Sequence, residues 1–191
     1  MAEPGYKGLI SYKLAQMVFD LTWEFVPLYY SKYEDARQRD QMKQAARSYK
    51  QNIVEGSSER SLSTKLKLYD VAKASAMELL EDYEDILRMN KYYQWNKDDP
   101  RLVKLRLFLE NPSNSSNPSL SSILGTIGIR WTRGVRREEV EIIINYLVDL
   151  LKRGGYLLDR QINAVEEKHR LEGGYSENLL KKRLQFKRGL S

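Results

Sequence analysis

SLSTKLKLYDVAKASAMELLEDYEDILRMN, residues 61–90, is the stretch that decides the fold. Its apolar residues return every three or four positions, the spacing that places side chains on one face of an α-helix. They are Leu62, Leu66, Tyr69, Ala72, Ala76, Leu79, Leu80, Tyr83, Ile86 and Leu87. The pattern predicts a helix of roughly 40 Å, capped by Ser61 or Ser63 and ending near Asn90.

Two similar patterns precede this helix in the chain. In residues 11–30 the apolar positions follow the same three- and four-residue steps, and Pro27 is expected to kink or end the helix near Val26. In residues 35–55 the stripe is narrow and rich in small side chains, and Gly56 is expected to stop the helix just past its C-terminus. We therefore predict two helices before the decisive one.

The pattern weakens between residues 91 and 136. It predicts a short helix over 101–110, a Ser-, Asn- and Pro-rich loop over 111–122 and an irregular stretch over 123–134. A long insertion of this kind is typical of functional or poorly ordered segments, and we expect it to be the least ordered part of the chain.

A long helix is predicted for residues 137–172, with Glu138 and Glu139 in its first turn, where the helix dipole favours acids. The glycine pair at 154–155 is a weak point in mid-helix that is expected either to bend the helix or to let a neighbour approach closely, and the pair at 173–174 is expected to end it. A last short helix is predicted over 177–187. The organisation is thus a helical domain over 1–172 and a basic suffix over 173–191.

Four long amphipathic segments without a convincing strand predict an all-α fold: an antiparallel up-down-up-down four-helix bundle with an insertion between helices 3 and 4 and a C-terminal helical extension. The 191 residues suit a single domain, and 41% hydrophobic with 30% charged residues suits helices with one wet face. Residues 1–10 lack the apolar run of a signal peptide, and no segment is long enough for a bilayer. We expect a cytoplasmic protein without membrane association.

Residues 40–88 carry a more specific signal than amphipathicity. They read DQMKQAARSYKQNIVEGSSERSLSTKLKLYDVAKASAMELLEDYEDILR, and residues 156–183 read YLLDRQINAVEEKHRLEGGYSENLLKKR. The first stretch resembles the four-helix-bundle proteins encoded in intervening sequences of bacterial 23S rRNA genes, whose N-I-x-E-G pattern is matched by Asn52, Ile53, Glu55 and Gly56. Ser75, Glu78 and Leu79 match the pattern of the family's third helix, and the late stretch resembles the suffix subgroup.

The resemblance implies a barrel-shaped homopentamer with a basic surface. One related branch, the accessory variability protein of diversity-generating retroelements, partners a reverse transcriptase and binds RNA. For the other branches the resemblance implies the fold more strongly than any activity.

Catalytic and metal sites are not expected. The chain has no cysteine, which excludes thiolate ligands and a cysteine nucleophile, and its one histidine, His169, lies in a charged stretch typical of a helix surface. A di-iron bundle site needs two histidines. The carboxylates Glu78, Glu81, Asp82 and Asp85 share one face, which fits a hard-cation site or, as we prefer, a solvated face. We expect no cofactor.

Basic residues give the candidate binding site. The formal charge is +6, and residues 168–191 hold seven Lys and Arg against two Glu. The residues that we expect to contact RNA phosphates are Arg37, Lys43, Arg47 and Lys50 in the second helix and Lys181, Lys182 and Arg183 in the tail. The alternative is that the residues of the second helix form an ordinary solvent-exposed face and that the tail serves only to increase solubility.

Aromatic residues leave two interpretations open. Tyr92, Tyr93, Trp95 and Trp131 suit base stacking or, as we prefer, packing at the ends of the bundle or between subunits. The thirteen tyrosines favour an oligomer. The sequence thus predicts a non-enzymatic RNA-binding accessory or structural oligomer. The alternative is a protein scaffold that recruits a partner, such as a reverse transcriptase or a ribosome-associated factor, without binding nucleic acid.

Overall fold

The computed structural model describes residues 5–111, 118–131 and 135–189, and within them the fold is all-α, without a strand. It contains α1 (Ile10–Tyr29), α2 (Ala36–Ser58), α3 (Leu62–Met89), α4 (Pro100–Glu110), α5 (Leu120–Thr126), α6 (Arg137–Glu172) and α7 (Tyr175–Gly189). Two 3₁₀ turns, Gly5–Gly8 and Tyr33–Asp35, precede α1 and α2. Within the same residues, no helix combines the length and the apolar composition that a membrane span requires.

The core lies between α1, α2, α3 and α6. Helix α1 packs against α2 and α6, and α3 packs against the same two helices. The stripes expected from the sequence are the buried faces: Leu14, Val18, Leu21 and Phe25 of α1 are at most 5% exposed. Burial of these stripes from water is the main stabilising contribution to the fold.

Tyrosines and small residues fill this core within a single chain. Tyr49, Tyr83 and Tyr146 are fully buried, and so are Ala46 and Ala72. The Tyr83 hydroxyl donates a hydrogen bond of 2.9 Å to Thr22 Oγ1. These three tyrosines therefore have a packing role inside one subunit.

Pro27 does not end α1 near Val26, which was one of the two effects expected of it; the helix continues to Tyr29, close to the predicted end at residue 30. A proline in the last turn removes only one backbone hydrogen bond, to the carbonyl of the residue four positions earlier. Because so little helix follows, the cost is small.

The expected stop at Gly56 is also wrong, since α2 continues to Ser58. Gly56 is buried where α2 meets α3, and a Cβ there would lie 2.6 Å from Cε1 of Tyr69. A second close approach occurs at Gly154 of α6, where a Cβ would collide with the hydroxyl of Tyr49. Both glycines provide space for a ring from another helix.

Helix α3 begins and ends with local hydrogen bonds. Ser61 Oγ accepts from Thr64 N, which confirms the expected cap. At the other end Lys91 adopts φ 53°, while Lys91 N donates to Arg88 O and Tyr92 N donates to Leu87 O at 2.9 Å. This is a Schellman motif with lysine at the usual glycine position, and it turns the chain away from α3.

The insertion is more helical than expected. The predicted helix over 101–110 is present as α4, with Asp99 capping Arg101 N. The predicted loop is wrong for residues 120–122 and the predicted irregular stretch for residues 123–126, because α5 spans Leu120–Thr126 and begins with a capping box between Ser119 and Ser122. The remainder of the predicted loop, residues 112–117, and residues 132–134 lie outside the described residues.

Helix α6 is the longest element, about 54 Å. Residues 142–151 are all buried, including two polar side chains, Asn145 and Asp149. The side chain of Asn145 accepts a hydrogen bond from the Trp95 backbone N–H at 2.7 Å through Oδ1 and donates one from Nδ2 to the Tyr93 carbonyl at 2.9 Å. The carboxylate of Asp149 accepts two hydrogen bonds from the guanidinium of Arg106 in α4. The residues after α3 therefore cover the outer face of the first half of α6.

Candidate nucleic-acid surface

Three of the predicted RNA-contacting residues share one face of α2. Lys43, Arg47 and Lys50 follow one another at steps of four and three residues, so they lie within about 60° of each other around the helix. Arg47 is exposed, and the two lysines are partly covered by the neighbouring helix α1.

Two aromatic side chains of α1 lie under the lysines. The Lys43 ammonium is 4.8 Å from the centre of the Trp23 ring, and the Lys50 ammonium is 3.6 Å from the centre of Phe19. The two rings are 5.4 Å apart with an interplanar angle of 43°, and Trp23 remains 46% exposed. We call Phe19, Trp23, Lys43, Arg47 and Lys50 the α1–α2 surface.

The electrostatics of this surface are mixed. Burial of Lys50 lowers the pKa of its ammonium below the ordinary value, and the positive charge of Arg47 acts in the same direction. The carboxylate of Asp20 opposes both effects. Asp20 is held on α1 by Gln16 Nε2, which donates to its two oxygens at 2.8 and 2.9 Å. The surface therefore has one acid beside three cations.

Arg37 does not join the other three residues. It is exposed near the start of α2, six positions before Lys43 and therefore about 120° away around the helix. Arg39, between them, donates from Nη1 to Tyr30 O at 3.0 Å and fastens the turn between α1 and α2. The structure thus separates Arg37 from the α1–α2 surface.

The tail residues form a separate exposed group. Lys181, Lys182 and Arg183 are exposed on α7, whose bounds, Tyr175–Gly189, are wider than the predicted 177–187. Leu180 and Phe186, whose apolar side chains suit docking on an apolar surface, are 57% and 70% exposed. Because both side chains are mostly exposed among the described residues, a docking role for the tail needs a partner.

Sequence reasoning missed Phe19 and Trp23 as part of the site. Periodicity alone places Phe19 at the edge of the apolar stripe of the first helix and gives Trp23 no role. The sequence did contain a signal for this pair. The two aromatic residues are four positions apart and lie off the buried stripe, as neighbouring residues on a solvent-exposed helix face do. Their pairing with α2 depends on the register of two helices, which the sequence does not give directly.

Two of the four carboxylates that share a face of α3, Asp82 and Asp85, are engaged with protein groups. Asp82 accepts from Gln38 Nε2 at 2.9 Å, and Asp85 accepts from Arg88 at 2.7 Å. Burial raises the pKa of Asp82 above its ordinary value, against the lowering effect of the Gln38 hydrogen bond. Among the described residues, no group of three His, Asp or Glu is arranged to hold a metal ion.

Trp95 follows the preferred packing interpretation. Its side chain is 7% exposed, and its indole Nε1–H donates to Glu141 Oε1 of α6 at 3.3 Å. Tyr92 lies under the guanidinium of Arg137, 4.7 Å from its ring centre, while Tyr93 is 64% exposed. Trp131 packs against the core with part of its ring. The rings of Trp95 and Tyr92 therefore attach the start of the insertion to α6.

No family model, no curated protein and no solved structure matches the chain. The resemblance to the intervening-sequence proteins therefore stays a prediction, as do the oligomeric state and the partners that it implies.

Proposed function

We propose that the protein is a non-enzymatic RNA-binding accessory or structural protein that holds single-stranded RNA through the α1–α2 surface. The observation that carries the proposal is the combination of an exposed Trp23 ring with Lys43, Arg47 and Lys50 on the adjacent helix. Cations beside a ring that is open to solvent are the groups that sequence-tolerant binding of unpaired nucleotides uses.

The chemistry divides between the two helices. The exposed part of Trp23 offers a stacking face to an unpaired base, and Arg47 offers a guanidinium fork to a phosphate. Neither contact reads a base edge, so affinity should be largely independent of sequence and should fall as salt rises. The exposed cations Lys181, Lys182 and Arg183 of α7 and Arg37 of α2 add non-specific attraction.

The test is a titration of an unstructured 20-nucleotide RNA at low salt with wild-type protein and two variants. We expect Trp23→Ala to weaken binding about tenfold, because stacking contributes roughly 1–3 kcal/mol per base. Replacing Arg47 with Ala should weaken it and reduce the slope of log K against log salt by about 0.7 for each phosphate that the variant no longer neutralises.

A matched control is available on α6. Arg160 is exposed and removes the same charge when replaced by Ala, but it lies on a different helix, with neighbours other than Phe19 and Trp23. Equal weakening by Arg47→Ala and Arg160→Ala would reduce the effect to net charge and contradict a defined surface. Tighter binding of a duplex than of the single strand would contradict the role of Trp23.

The finer arrangement of the core and its assembly belong to the same proposal. We infer that α1, α2, α3 and α6 form an antiparallel up-down-up-down bundle, supported by the way each packs on two of the others and by the short connection between α2 and α3. We further propose the homopentamer that the family resemblance implies, which would repeat weak contacts around one axis. Light scattering that gives a monomer mass at micromolar concentration would contradict the pentamer.

The alternative function is a protein scaffold without nucleic-acid binding, for a partner such as a reverse transcriptase or a ribosome-associated factor. The observation that favours it is the exposure of Leu180, Leu184 and Phe186 on α7. Absence of RNA binding by the wild-type protein at low salt would remove the RNA proposal and leave the scaffold function.

A further inference from the structure

A cavity of about 870 Å³ lies on one side of the molecule. Its walls come from α4, from α6 and from residues 94–97, which follow α3. Its apolar walls include Trp95, Leu102, Val148 and Leu157, and Ile10 from the start of α1 lies at its edge. The volume is within the range of small-molecule sites, roughly 300–1,000 Å³. The cavity contains no residue of the α1–α2 surface.

Cations outnumber acids in the lining. Lys97, Arg106, Lys152 and Arg153 contribute to it, and Asp149 is the acid among the described lining residues. Two of these cations have close partners. Arg106 donates from Nη2 and Nε to the two oxygens of Asp149 at 2.5 and 3.1 Å, and Lys152 lies 2.6 Å from Glu84. The electrostatic surplus therefore rests with Lys97 and Arg153.

Arg153 is the group with unused donors. Its Nη1 atom is buried and donates no hydrogen bond within the described part of the chain. The nearest anion is Asp149 Oδ2 at 3.8 Å, beyond hydrogen-bond distance and already bonded to Arg106. The Arg153 side chain as a whole is 34% exposed and lines the cavity, so a ligand there can accept a hydrogen bond from the guanidinium in place of water.

We propose that this cavity binds a small organic anion consisting of a carboxylate on an apolar body. The carboxylate accepts hydrogen bonds from Arg153, and the body lies against Leu102, Val148 and Leu157. A single unused guanidinium beside apolar walls suits one charge, whereas a polyphosphate requires several charged donors. A second copy's α7 is a poorer occupant, because Lys181, Lys182 and Arg183 have the same sign as the cavity's surplus.

Octanoate and octylamine make a matched pair of probes, since each contains eight carbon atoms in an unbranched chain and they differ in the sign of the head-group charge. In isothermal titration calorimetry at pH 7 we expect octanoate to bind at least tenfold more tightly than octylamine. Equal affinity for the two, or no octanoate binding at millimolar concentration, would overturn the proposal.

Variants then locate the anion contact. Arg153→Gln should weaken octanoate binding at least tenfold, and Arg153→Lys, which keeps the charge but not the fork, should lie between it and wild type. Arg160→Gln, an exposed arginine seven residues later on the same helix, is the control and should leave affinity unchanged. An unaltered affinity in Arg153→Gln would contradict the assignment.

A measurement on the wild-type protein removes dependence on how the variants fold. The indole N–H resonance of Trp95, which lines the cavity, should shift and saturate on addition of octanoate, while that of Trp23 on the α1–α2 surface should not. A shift of the Trp23 indole resonance alone would show that the anion binds elsewhere and would contradict the proposal.

Discussion

The two halves of α6 present the same face to very different surroundings. Ile142, Asn145, Tyr146 and Asp149 are buried, whereas the residues eighteen positions later on the same face, Arg160, Asn163, Ala164 and Glu167, are all exposed. Eighteen residues make about five full turns, so the two sets have nearly the same orientation around the helix axis. The residues that follow α3 cover only the first half.

This difference shows how an insertion changes what a helix must contain. The second half of α6 needs one apolar stripe, as in any surface helix. In the first half, residues 142–151 are enclosed on every side, so their polar groups need partners from the covering segment. Asn145 and Asp149 obtain them from Tyr93, Trp95 and Arg106.

The largest expected effect is the loss of the buried ion pair between Arg106 and Asp149 on this face. Replacing Arg106 with Ala leaves the carboxylate of Asp149, 8% exposed, with Arg153 at 3.8 Å as its closest remaining cation. We expect the free energy of unfolding to fall by about 3 kcal/mol, measured by urea denaturation.

Arg170→Ala is the matched control, because its partner Glu167 occupies the position equivalent to Asp149. Both side chains of that pair are more than half exposed, and we expect no measurable change. Similar destabilisation of the two variants would show that the covering segment does not desolvate the first half of α6.

A smaller effect is expected at the next pair of equivalent positions. Asn145→Ala leaves the buried Trp95 N–H without its acceptor and the Tyr93 carbonyl without a donor, so unfolding should become easier by about 2 kcal/mol. The exposed Asn163→Ala should leave the thermal unfolding midpoint unchanged. Faster hydrogen exchange of the Trp95 amide in Asn145→Ala would locate the destabilisation, and unaltered exchange would contradict it.

The smallest effect separates buried polar groups that have partners from those without. The Tyr146 hydroxyl is buried and bonds to none of the described residues, so Tyr146→Phe should be neutral or stabilise the fold by up to about 1 kcal/mol. Tyr83→Phe should destabilise it by about 1 kcal/mol, because the buried Thr22 hydroxyl no longer has a donor. Chemical denaturation that gives the opposite order would contradict this assignment.

The sequence predicted the long helices because their stripes have a strong period and clear ends. The pattern from Leu62 onward determined α3, and residue type narrowed the cap to Ser61 or Ser63, of which the structure uses Ser61. Helix α5 was missed because its capping box uses serine at Ser122 where Glu or Gln is usual, and serine-rich stretches favour loops. The residues 142–151, apolar on nearly every side, carried an unused signal, since a helix that is hydrophobic all round is buried all round.

The candidate site was only partly predictable for a different physical reason. The row of cations on α2 follows from helical spacing, which is local. The position of Phe19 and Trp23 beside these cations depends on how α1 packs on α2. Arg153 keeps unused donors because Arg106 is the residue that hydrogen-bonds to Asp149. Such pairings are properties of the folded chain rather than of any one segment.

The close approach of Tyr49 to Gly154 has a consequence for how this sequence can diverge. Gly154→Ala alone would force the phenol ring of Tyr49 out of a fully occupied core, whereas the same change combined with Tyr49→Phe removes the colliding atom. The constraint is one-sided: Tyr49 on α2, whose buried hydroxyl bonds to none of the described residues, can change first, whereas Gly154 on α6 can become alanine only after that hydroxyl is gone. Among descendant sequences, an alanine at position 154 should therefore appear only in lineages in which the tyrosine at position 49 has already been replaced. A comparison of such sequences would show the order of the two substitutions.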